Sequence, residues 1–421
     1  MTDTTTAARP EAPPRRSLRQ WLRVMGPGVI TGAAGDDPAG IGTYSQVGAQ
    51  NGSSLLWLML LATPMLQVVQ VTCAKLGVVS KQGLSGILKE HYGLKVAAIA
   101  AALTALANIA TIGADIAGIG AAFELLFRVK WQWFVIPVTL AIWYFQVYMD
   151  YGVIRKALLL LALTLLTYIL AGFMAKPDWG TVLRDTFLPH IEMNLAFFST
   201  AVGLLGTTIS PYMYYFQAAQ VVEENTPVKK LDDVTVDTTT GMIFTNIVSY
   251  FIILATAATL HIHGKQIETA ADAARALEPF AGEAAKYLFA AGMIGAGLLA
   301  VPVLAASTAA MIGETAGWRI GLNKSVTRAR GFYLALSVAL LFGAAITLSG
   351  IHPMKALFYS QILSGVVAPA LLFLIFRLSR REEVLGERVN TPVQQAWGWL
   401  TVAVMALSVA LMAWGWITGQ K

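Results

Sequence analysis

The chain has 421 residues, of which 56% are hydrophobic and 13% charged, and its mean hydropathy is +0.61. A soluble domain of this length does not carry so apolar a composition, so we predict an integral membrane protein. The formal net charge of +6 does not indicate a nucleic-acid partner, because the basic residues are spread over short segments between apolar runs. The single cysteine, Cys73, lies within an apolar run, which excludes a disulfide scaffold and a cysteine-based zinc cluster.

In chain order, a polar tail precedes a series of apolar runs. Residues 1–19 are rich in Thr, Ala, Pro and Arg and predict a disordered tail, while residues 20–421 predict one transmembrane domain. A window of about 20 residues predicts eleven membrane spans, at 24–48, 53–78, 95–127, 132–148, 153–174, 193–221, 239–261, 285–311, 330–349, 354–377 and 395–418. The Ala-rich segment 267–277, between the seventh and eighth spans, predicts a short surface helix.

The loop charges predict the orientation of the spans. Lysine and arginine are concentrated in the tail and in every second loop, including Arg155/Lys156 and Lys229/Lys230. Because basic loops stay in the cytoplasm, we expect a cytoplasmic N-terminus. The C-terminus is then expected outside.

The first span contains two adjacent carboxylates near its middle. Asp36 and Asp37 stand between Gly35 and Pro38. A carboxylate at the centre of a bilayer costs several kcal/mol unless it has a partner or a function. Proline removes a backbone donor and glycine relaxes the helix, so carbonyl groups are freed to act as ligands. The pattern predicts an interrupted helix that holds a cation.

A second break is predicted in the sixth span. Small and hydroxylated residues, including Thr207 and Ser210, stand in front of Pro211. If residues 24–174 form one structural repeat and 193–377 its inverted copy, both breaks fall in the first helix of a repeat, with residues 395–418 as an extra helix. This layout is typical of a transporter whose site lies between the repeats. Prolines that only kink packed helices are the alternative, but they would leave the buried Asp37 unexplained.

Motifs on the predicted spans resemble those of the Nramp divalent-metal transporters. Gly26–Gly28 with Asp37–Gly40 resembles the Gly-Pro-Gly and Asp-Pro-Gly-Asn motifs of the first helix in that family, and Gly206–Tyr212 resembles its sixth-helix motif. Asp115–Ala117 and Ser360–Ser364 resemble its third- and tenth-helix motifs. The resemblance implies an all-α LeuT-type fold, with two inverted five-helix repeats, an eleventh helix, and broken first and sixth helices. It also implies transport of divalent metal ions across the bilayer.

Two departures from the family pattern concern the selectivity for the ion. Gly40 stands where the family has an asparagine ligand, and Ser210 stands where it has a methionine. A thioether favours soft transition metals, whereas a hydroxyl removes that preference. The loss of two larger ligands also widens the cavity, which suits Mg²⁺ because Mg²⁺ gives up its waters reluctantly. The pattern resembles that of the Nramp-related magnesium transporters of bacteria, which implies a location in a bacterial inner membrane, and we expect the chain to carry partly hydrated Mg²⁺ and also Mn²⁺.

Three further departures concern proton coupling. Gly118, Tyr212 and Gln217 occupy positions where the proton-coupled relatives have a glutamate and two histidines. Tyrosine, with an ordinary pKa near 10, does not exchange protons near neutrality as histidine does. Asp115 is retained, and a structural bond to the backbone or a hydroxyl would account for it. We expect alternating access without proton coupling.

The candidate metal site has one principal ligand and several assisting positions. Asp37 is the expected main ligand; its alternative role is to cap a half-helix. Asp36 points elsewhere on any helical geometry and is expected near the entrance or behind the ligands, or else in a structural hydrogen bond. The remaining candidates line the cavity with backbone or amide oxygens, or else make ordinary helix-packing bonds: Gly40, Thr207, Ser210, Gln67 and Gln361.

Other classes of function remain open at this point. A proton-coupled Mn²⁺/Fe²⁺ transporter with altered ligands is the main alternative, and an ion channel is another. A LeuT-type amino-acid carrier is disfavoured, because Asp36 and Asp37 would repel a substrate carboxylate. No nucleophile elbow or phosphate loop occurs, so we expect neither an enzyme nor a cofactor. The physiological ion, the direction of transport and the oligomeric state are left undetermined.

Overall fold

Helices account for all the regular secondary structure in the part of the chain that the computed structural model describes, residues 36–148, 163–322 and 324–419. In chain order they are α1 Pro38–Asn51, α2 Leu56–Ser80, α3 Leu84–Phe127, α4 Gln132–Tyr148, α5 Thr167–Met174, α6 Trp179–Phe187, α7 Leu195–Thr208, α8 Pro211–Glu223, α9 Leu231–Thr259, α10 Ala270–Ala274, α11 Glu278–Ala281, α12 Ala285–Ala316, α13 Arg330–Thr347, α14 Pro353–Leu378, α15 Glu382–Leu385 and α16 Pro392–Thr418. Short 3-10 turns connect several of them.

Most of the predicted spans are present with small shifts at their ends. Eight helical segments of the described residues are long and apolar enough to cross a membrane, and they correspond to the second, third and sixth to eleventh predicted spans. Helix α4 coincides with the fourth. The tail 1–19, the start of the first span and residues 153–162 of the fifth lie outside the described residues. The short surface helix expected at 267–277 is α10 with the 3-10 turn Arg275–Leu277 after it.

Helix α3 contains a break that separates its membrane span from a short leading helix. Gly93 has φ +83° and ψ 165°, a conformation that glycine adopts without a Cβ clash. Leu84–Tyr92 therefore runs in its own direction, and the span begins after Gly93, close to the predicted start at residue 95.

The predicted break in the sixth span is confirmed. Helix α7 ends at Thr208 and α8 begins at Pro211, with Ile209 (φ −117°, ψ 58°) and Ser210 (φ −73°, ψ 135°) out of helical geometry between them. Proline has no amide hydrogen and its ring blocks the preceding turn, so the α7 helix cannot continue through this point.

Helix α1 lies inside the bundle, and most of its residues are buried. It packs against α9, α14, α7 and α3, while α3 and α12 pack extensively against each other beside it. Close packing of α7 on α14 depends on Gly206, because a Cβ there would lie 2.0 Å from the carbonyl oxygen of Gln361. In a bilayer, where lipid tails are as apolar as leucine, such small-residue contacts let helix backbones approach each other.

Candidate ion site

Asp37 forms the start of α1. Its side chain is 2% exposed, and its Oδ1 accepts a hydrogen bond of 2.5 Å from the amide of Gly40. This is an N-cap, which a short acidic side chain in front of a proline makes well. The capping role considered for Asp37 is therefore present. It occupies one carboxylate oxygen, and the role as metal ligand stays a prediction. Gly40 contributes its amide to this bond.

Asp115, at the centre of α3, binds the same end of α1. Its Oδ1 accepts a hydrogen bond of 2.9 Å from the amide of Ala39, so the expected backbone bond is confirmed. The residue is completely buried, and its Oδ2 has no hydrogen-bond partner among the described residues. Two carboxylates thus bind adjacent amides, those of Ala39 and Gly40, at one helix start. The positive end of the α1 dipole offsets only about half a unit charge.

Asp36 faces a different helix from Asp37. The hydroxyl of Ser249 donates to its Oδ1 at 3.0 Å, and the hydroxyl of Thr245 donates to its Oδ2 at 3.3 Å. Both donors belong to α9, and Asp36 is 2% exposed. The expectation that Asp36 points away from Asp37 is consistent with this geometry, and the two hydroxyls attach the chain just before α1 to α9.

The acidic centre has no basic partner in the described part of the molecule. Asp36, Asp37 and Asp115 are all buried, and the one ion pair between described residues joins His190 and Glu192 far along the chain. Lys75 is the one buried lysine or arginine there, and it donates to amide oxygens of α16 and the loop before it. Buried carboxylates without a counter-charge are strongly destabilising. A cation of at least two charges would restore the balance.

The break between α7 and α8 presents backbone oxygens. Pro211 has no amide hydrogen, so the carbonyl of Thr207 lacks its usual helical donor. The hydroxyl of Ser210 donates to this carbonyl at 2.9 Å and to that of Gly206 at 2.7 Å. Tyr44 of α1 and Thr208 of α7 are hydrogen-bonded through their hydroxyls at 3.0 Å, which attaches α1 to α7.

Helix α14 adds an amide from a third direction. Gln361 is 1% exposed, its backbone oxygen lies against Gly206, and its Oε1 has no partner among the described residues. Its Nε2 makes only a long bond of 3.4 Å to the hydroxyl of Ser360. The structure thus places Gln361 directly beside the end of α7.

Gln67 of α2, another residue predicted to line the cavity, forms a bond to α9. Gln67 is half-buried and its Nε2 donates to the hydroxyl of Thr239 on α9 at 3.1 Å, which is the helix-to-helix bond considered as its alternative. Gln70, one turn further along α2, is completely buried, and neither of its amide atoms has a partner in the described residues. Sequence reasoning missed Gln70, although its spacing of three from Gln67 placed it on the neighbouring face of the same span.

A helix break between α7 and α8 beside a buried acidic centre, within an all-helical bundle, is typical of the LeuT-type fold. Solved structures share this fold: MhsT in complex with L-phenylalanine has a TM-score of 0.65 at 12% identity, covering 92% of this chain and 98% of that chain. A mutant of the manganese transporter of Eremococcus coleocola has a TM-score of 0.72 at 18% identity, covering 94% of this chain and 87% of that chain.

The family model for natural resistance-associated macrophage protein-like proteins, Nramp, matches residues 28–415, and the chain belongs to this family. As a member of it, the chain is a transporter and not an enzyme. Among its relatives, the divalent metal cation transporter MntH of Caldanaerobacter subterraneus is 26% identical over 414 residues, covering 96% of this chain and 95% of the relative. The protein of the same name from Deinococcus radiodurans is 25% identical over 422 residues, covering 96% and 92%.

Proposed function

We propose that this chain transports divalent metal ions across a bacterial inner membrane by alternating access, that it carries Mg²⁺ and Mn²⁺ as partly hydrated ions, and that protons are not coupled to the transport. The relatives' names, divalent metal cation transporter and manganese transporter, support the class of substrate. The N-terminus is cytoplasmic in this proposal, because the basic loops lie on its side of the membrane.

The observation that carries the proposal is the set of three buried carboxylates at the start of α1. Asp37 and Asp115 bind adjacent amides, and no lysine or arginine forms an ion pair with them among the described residues. Magnesium binds proteins through one or two carboxylates and keeps several waters, so a site with few direct ligands and a large negative charge suits it.

The preference for a hard ion rests on Gly40 and Ser210. Gly40 offers no side chain, and the hydroxyl of Ser210 is bonded to two carbonyl groups of α7. Neither position supplies a soft ligand, and manganese or cadmium gains no sulfur contact there.

The alternative with specific support is a proton-coupled transporter of Mn²⁺, since the relatives include a manganese transporter. Against it, Tyr212 and Gln217 offer no group that titrates near neutrality. An amino-acid carrier is supported by the fold of MhsT alone, and the acids at the start of α1, which have no basic partner among the described residues, oppose a substrate carboxylate.

Uptake of radioactive Mn²⁺ into proteoliposomes tests the class of ion. We expect uptake that millimolar Mg²⁺ inhibits, with Ca²⁺ and Cd²⁺ tested in parallel. Strong inhibition by Cd²⁺ together with none by Mg²⁺ would favour the transition-metal alternative. No uptake of any of the ions, from vesicles that contain folded protein, would contradict the proposal itself.

A further inference from the structure

Helix α6, between the predicted fifth and sixth spans, packs on the bundle with one face and exposes an apolar face beside it. Trp179, Leu183 and Phe187 are spaced by four residues and therefore share a face, yet they are 38%, 56% and 66% exposed. Val182 and Thr186, on the neighbouring face, are buried. The exposed apolar side chains are thus not the ones that attach α6 to the bundle, and such a face commonly marks a contact with a membrane or another protein.

Two hydrogen bonds fix where α6 lies along the bundle. Asp185 accepts a bond from the hydroxyl of Ser53, just after the end of α1, and the hydroxyls of Thr186 and Tyr250 of α9 are 2.7 Å apart. Helix α1 begins near the middle of the predicted first span, and its 14 residues rise about 21 Å. This rise exceeds half of a hydrocarbon core of roughly 30 Å. Ser53 and Asp185 are therefore expected at the level of the lipid headgroups.

The exposed face of α6 continues the apolar surface of α5, the end of the predicted fifth span. The rings of Trp179 and Phe173, in the last turn of α5, pack against each other with their centroids 5.2 Å apart. Phe173 and Met174 are 54% and 51% exposed. Spans present apolar side chains to lipid, and tryptophan is enriched where lipid meets water. One continuous apolar surface thus runs from a span onto α6.

The charges around α6 cancel one another. In the segment 175–188, Lys176 and Arg184 are the basic residues and Asp178 and Asp185 the acidic ones. Helices that bind a membrane through charge carry an excess of lysine and arginine, whereas burial of apolar side chains needs no charged lipid. The composition therefore favours contact with the apolar part of the lipid over contact with anionic headgroups.

We propose that α6 lies in the plane of the membrane interface, on the side where α1 ends, with Trp179, Leu183 and Phe187 inserted among the lipids. Thr181 and Arg184, on the opposite face, are exposed and stay in water. Interfacial helices of this kind bury their apolar face about 5–10 Å into the boundary between headgroups and acyl chains. The partner is lipid, so this role does not depend on which ion the chain transports.

Fluorescent labels on the full-length protein in phosphatidylcholine vesicles test this placement. Cys73 is the one cysteine of the chain and is completely buried, so an environment-sensitive dye attaches only to a cysteine introduced at the surface. Leu183→Cys and Phe187→Cys each place the dye on the apolar face. We expect a blue-shifted emission, and stronger quenching by lipids with a nitroxide near the headgroup than by lipids with a nitroxide at the end of the acyl chain.

Thr181→Cys is the matched control, because residue 181 is exposed on the opposite face of the same helix. The substitution removes a hydroxyl bond to Asp178, which still caps the helix through the amide of Gly180 at 3.1 Å. A dye at this position should emit at longer wavelength and be quenched by iodide in solution, with no quenching by nitroxide lipids. Added phosphatidylglycerol or salt should change neither pattern, because the charges of the segment cancel.

Three results would overturn the proposal, and none of them requires a transported ion. Iodide quenching at Leu183→Cys and Phe187→Cys that equals the quenching at Thr181→Cys would place the apolar face in water. Protection from iodide without quenching by nitroxide lipids would mean that protein, such as a second copy of this chain, covers the face. Lipid quenching that appears only with phosphatidylglycerol and is lost in salt would assign the contact to charge instead of apolar burial.

Discussion

At the scale of single residues, the proposed ion site depends on Asp37, and one substitution separates its capping role from its role as a ligand. Asp37→Asn keeps an oxygen that can cap the amide of Gly40 but removes the charge. We expect the variant to fold and insert with nearly unchanged thermal stability and to lose divalent-ion binding and uptake, because the neutral amide cannot balance a divalent cation. Calorimetry and vesicle uptake on the purified variant provide the measurement. Uptake at the wild-type rate would remove Asp37 from the ligand set.

Selectivity is also decided by single residues. The double substitution Gly40→Asn with Ser210→Met puts an amide oxygen in the first turn of α1 and a thioether at the break between α7 and α8. Both side chains fill volume that water would occupy, and Mg²⁺ is the ion that suffers most from losing water. We expect Mg²⁺ affinity to fall by more than Mn²⁺ and Cd²⁺ affinity rises, since the hydroxyl bonds of Ser210 to α7 are lost as well. Calorimetry with the three ions gives the comparison, and a wild type that ignores millimolar Mg²⁺ yet binds Cd²⁺ tightly would refute the hard-ion interpretation.

The role of some of these site residues could be predicted from the sequence, and that of others could not, for physical reasons. Asp37 could be predicted because acid, proline and glycine together are incompatible with a plain membrane helix. The bond between Asp115 and Ala39 spans 76 residues and depends on how α3 packs, which local patterns do not specify. Gln67 and Gln70 are both polar residues in an apolar span, and only packing against α9 decides which of them is bonded.

At the scale of helices, the attachment of Asp36 to α9 can be tested by removing its two donors. Thr245→Val with Ser249→Ala leaves the carboxylate without its hydroxyl bonds of 3.3 Å and 3.0 Å. Hydrogen bonds to charged groups contribute about 1.5–3 kcal/mol each. We therefore expect a lower thermal midpoint and slower uptake, measured by a thermal-shift assay and by vesicle flux.

The control for this pair lies on the same helix. The hydroxyl of Thr240 donates to the carbonyl of Val236 within α9, so Thr240→Val should change neither stability nor transport appreciably. Equal thermal midpoints for the control and the double variant would mean that Asp36 does not depend on α9.

The close contact between α7 and α14 predicts different effects of an alanine substitution at two glycines of α7, Gly203 and Gly206. A Cβ at Gly206 would lie 2.0 Å from a backbone oxygen, whereas a Cβ at Gly203 would lie 3.2 Å from the ring of Phe358, which can shift. Overpacking commonly costs about 1–3 kcal/mol and more where backbone must move. We expect Gly206→Ala to abolish transport or prevent folding and Gly203→Ala to be tolerated, as measured by monodisperse yield and uptake. The opposite order would show that α7 and α14 pack differently.

The positions of the helices could largely be predicted from hydropathy. Within the bilayer every span must pair its backbone N–H and C=O groups inside the helix and present apolar side chains to the lipid. The predicted fourth span coincides with Gln132–Tyr148, and the break after α7 falls at Pro211 as expected. The short helix Leu84–Tyr92 before Gly93 was not predicted. Its polar composition, with Lys89 and Glu90, is typical of a loop between spans, so the separate helix is recognised only from the backbone geometry.

At the scale of the whole molecule, Asp36 and Asp37 before α1 and Asp115 of α3 form one acidic centre inside a LeuT-type bundle. The family and the fold follow from both the sequence and the comparisons with known proteins. Mg²⁺ transport and the absence of proton coupling are proposals that concern the complete transport cycle. Both depend on which ions, Mg²⁺ or H⁺, cross the membrane in each direction during the cycle, so a flux measurement tests them best.

The most direct measurement records Mg²⁺ and H⁺ together in proteoliposomes that contain a magnesium-sensitive dye and a pH-sensitive dye. Potassium at equal concentration on both sides, with valinomycin, keeps the membrane potential from driving a proton leak. We predict that added Mg²⁺ enters without acidifying the lumen, and that vesicles with Asp37→Asn show no entry. Acidification in fixed proportion to Mg²⁺ entry, not seen in protein-free liposomes, would contradict uncoupled transport, and the lack of any Mg²⁺ entry by folded wild type would contradict the central claim.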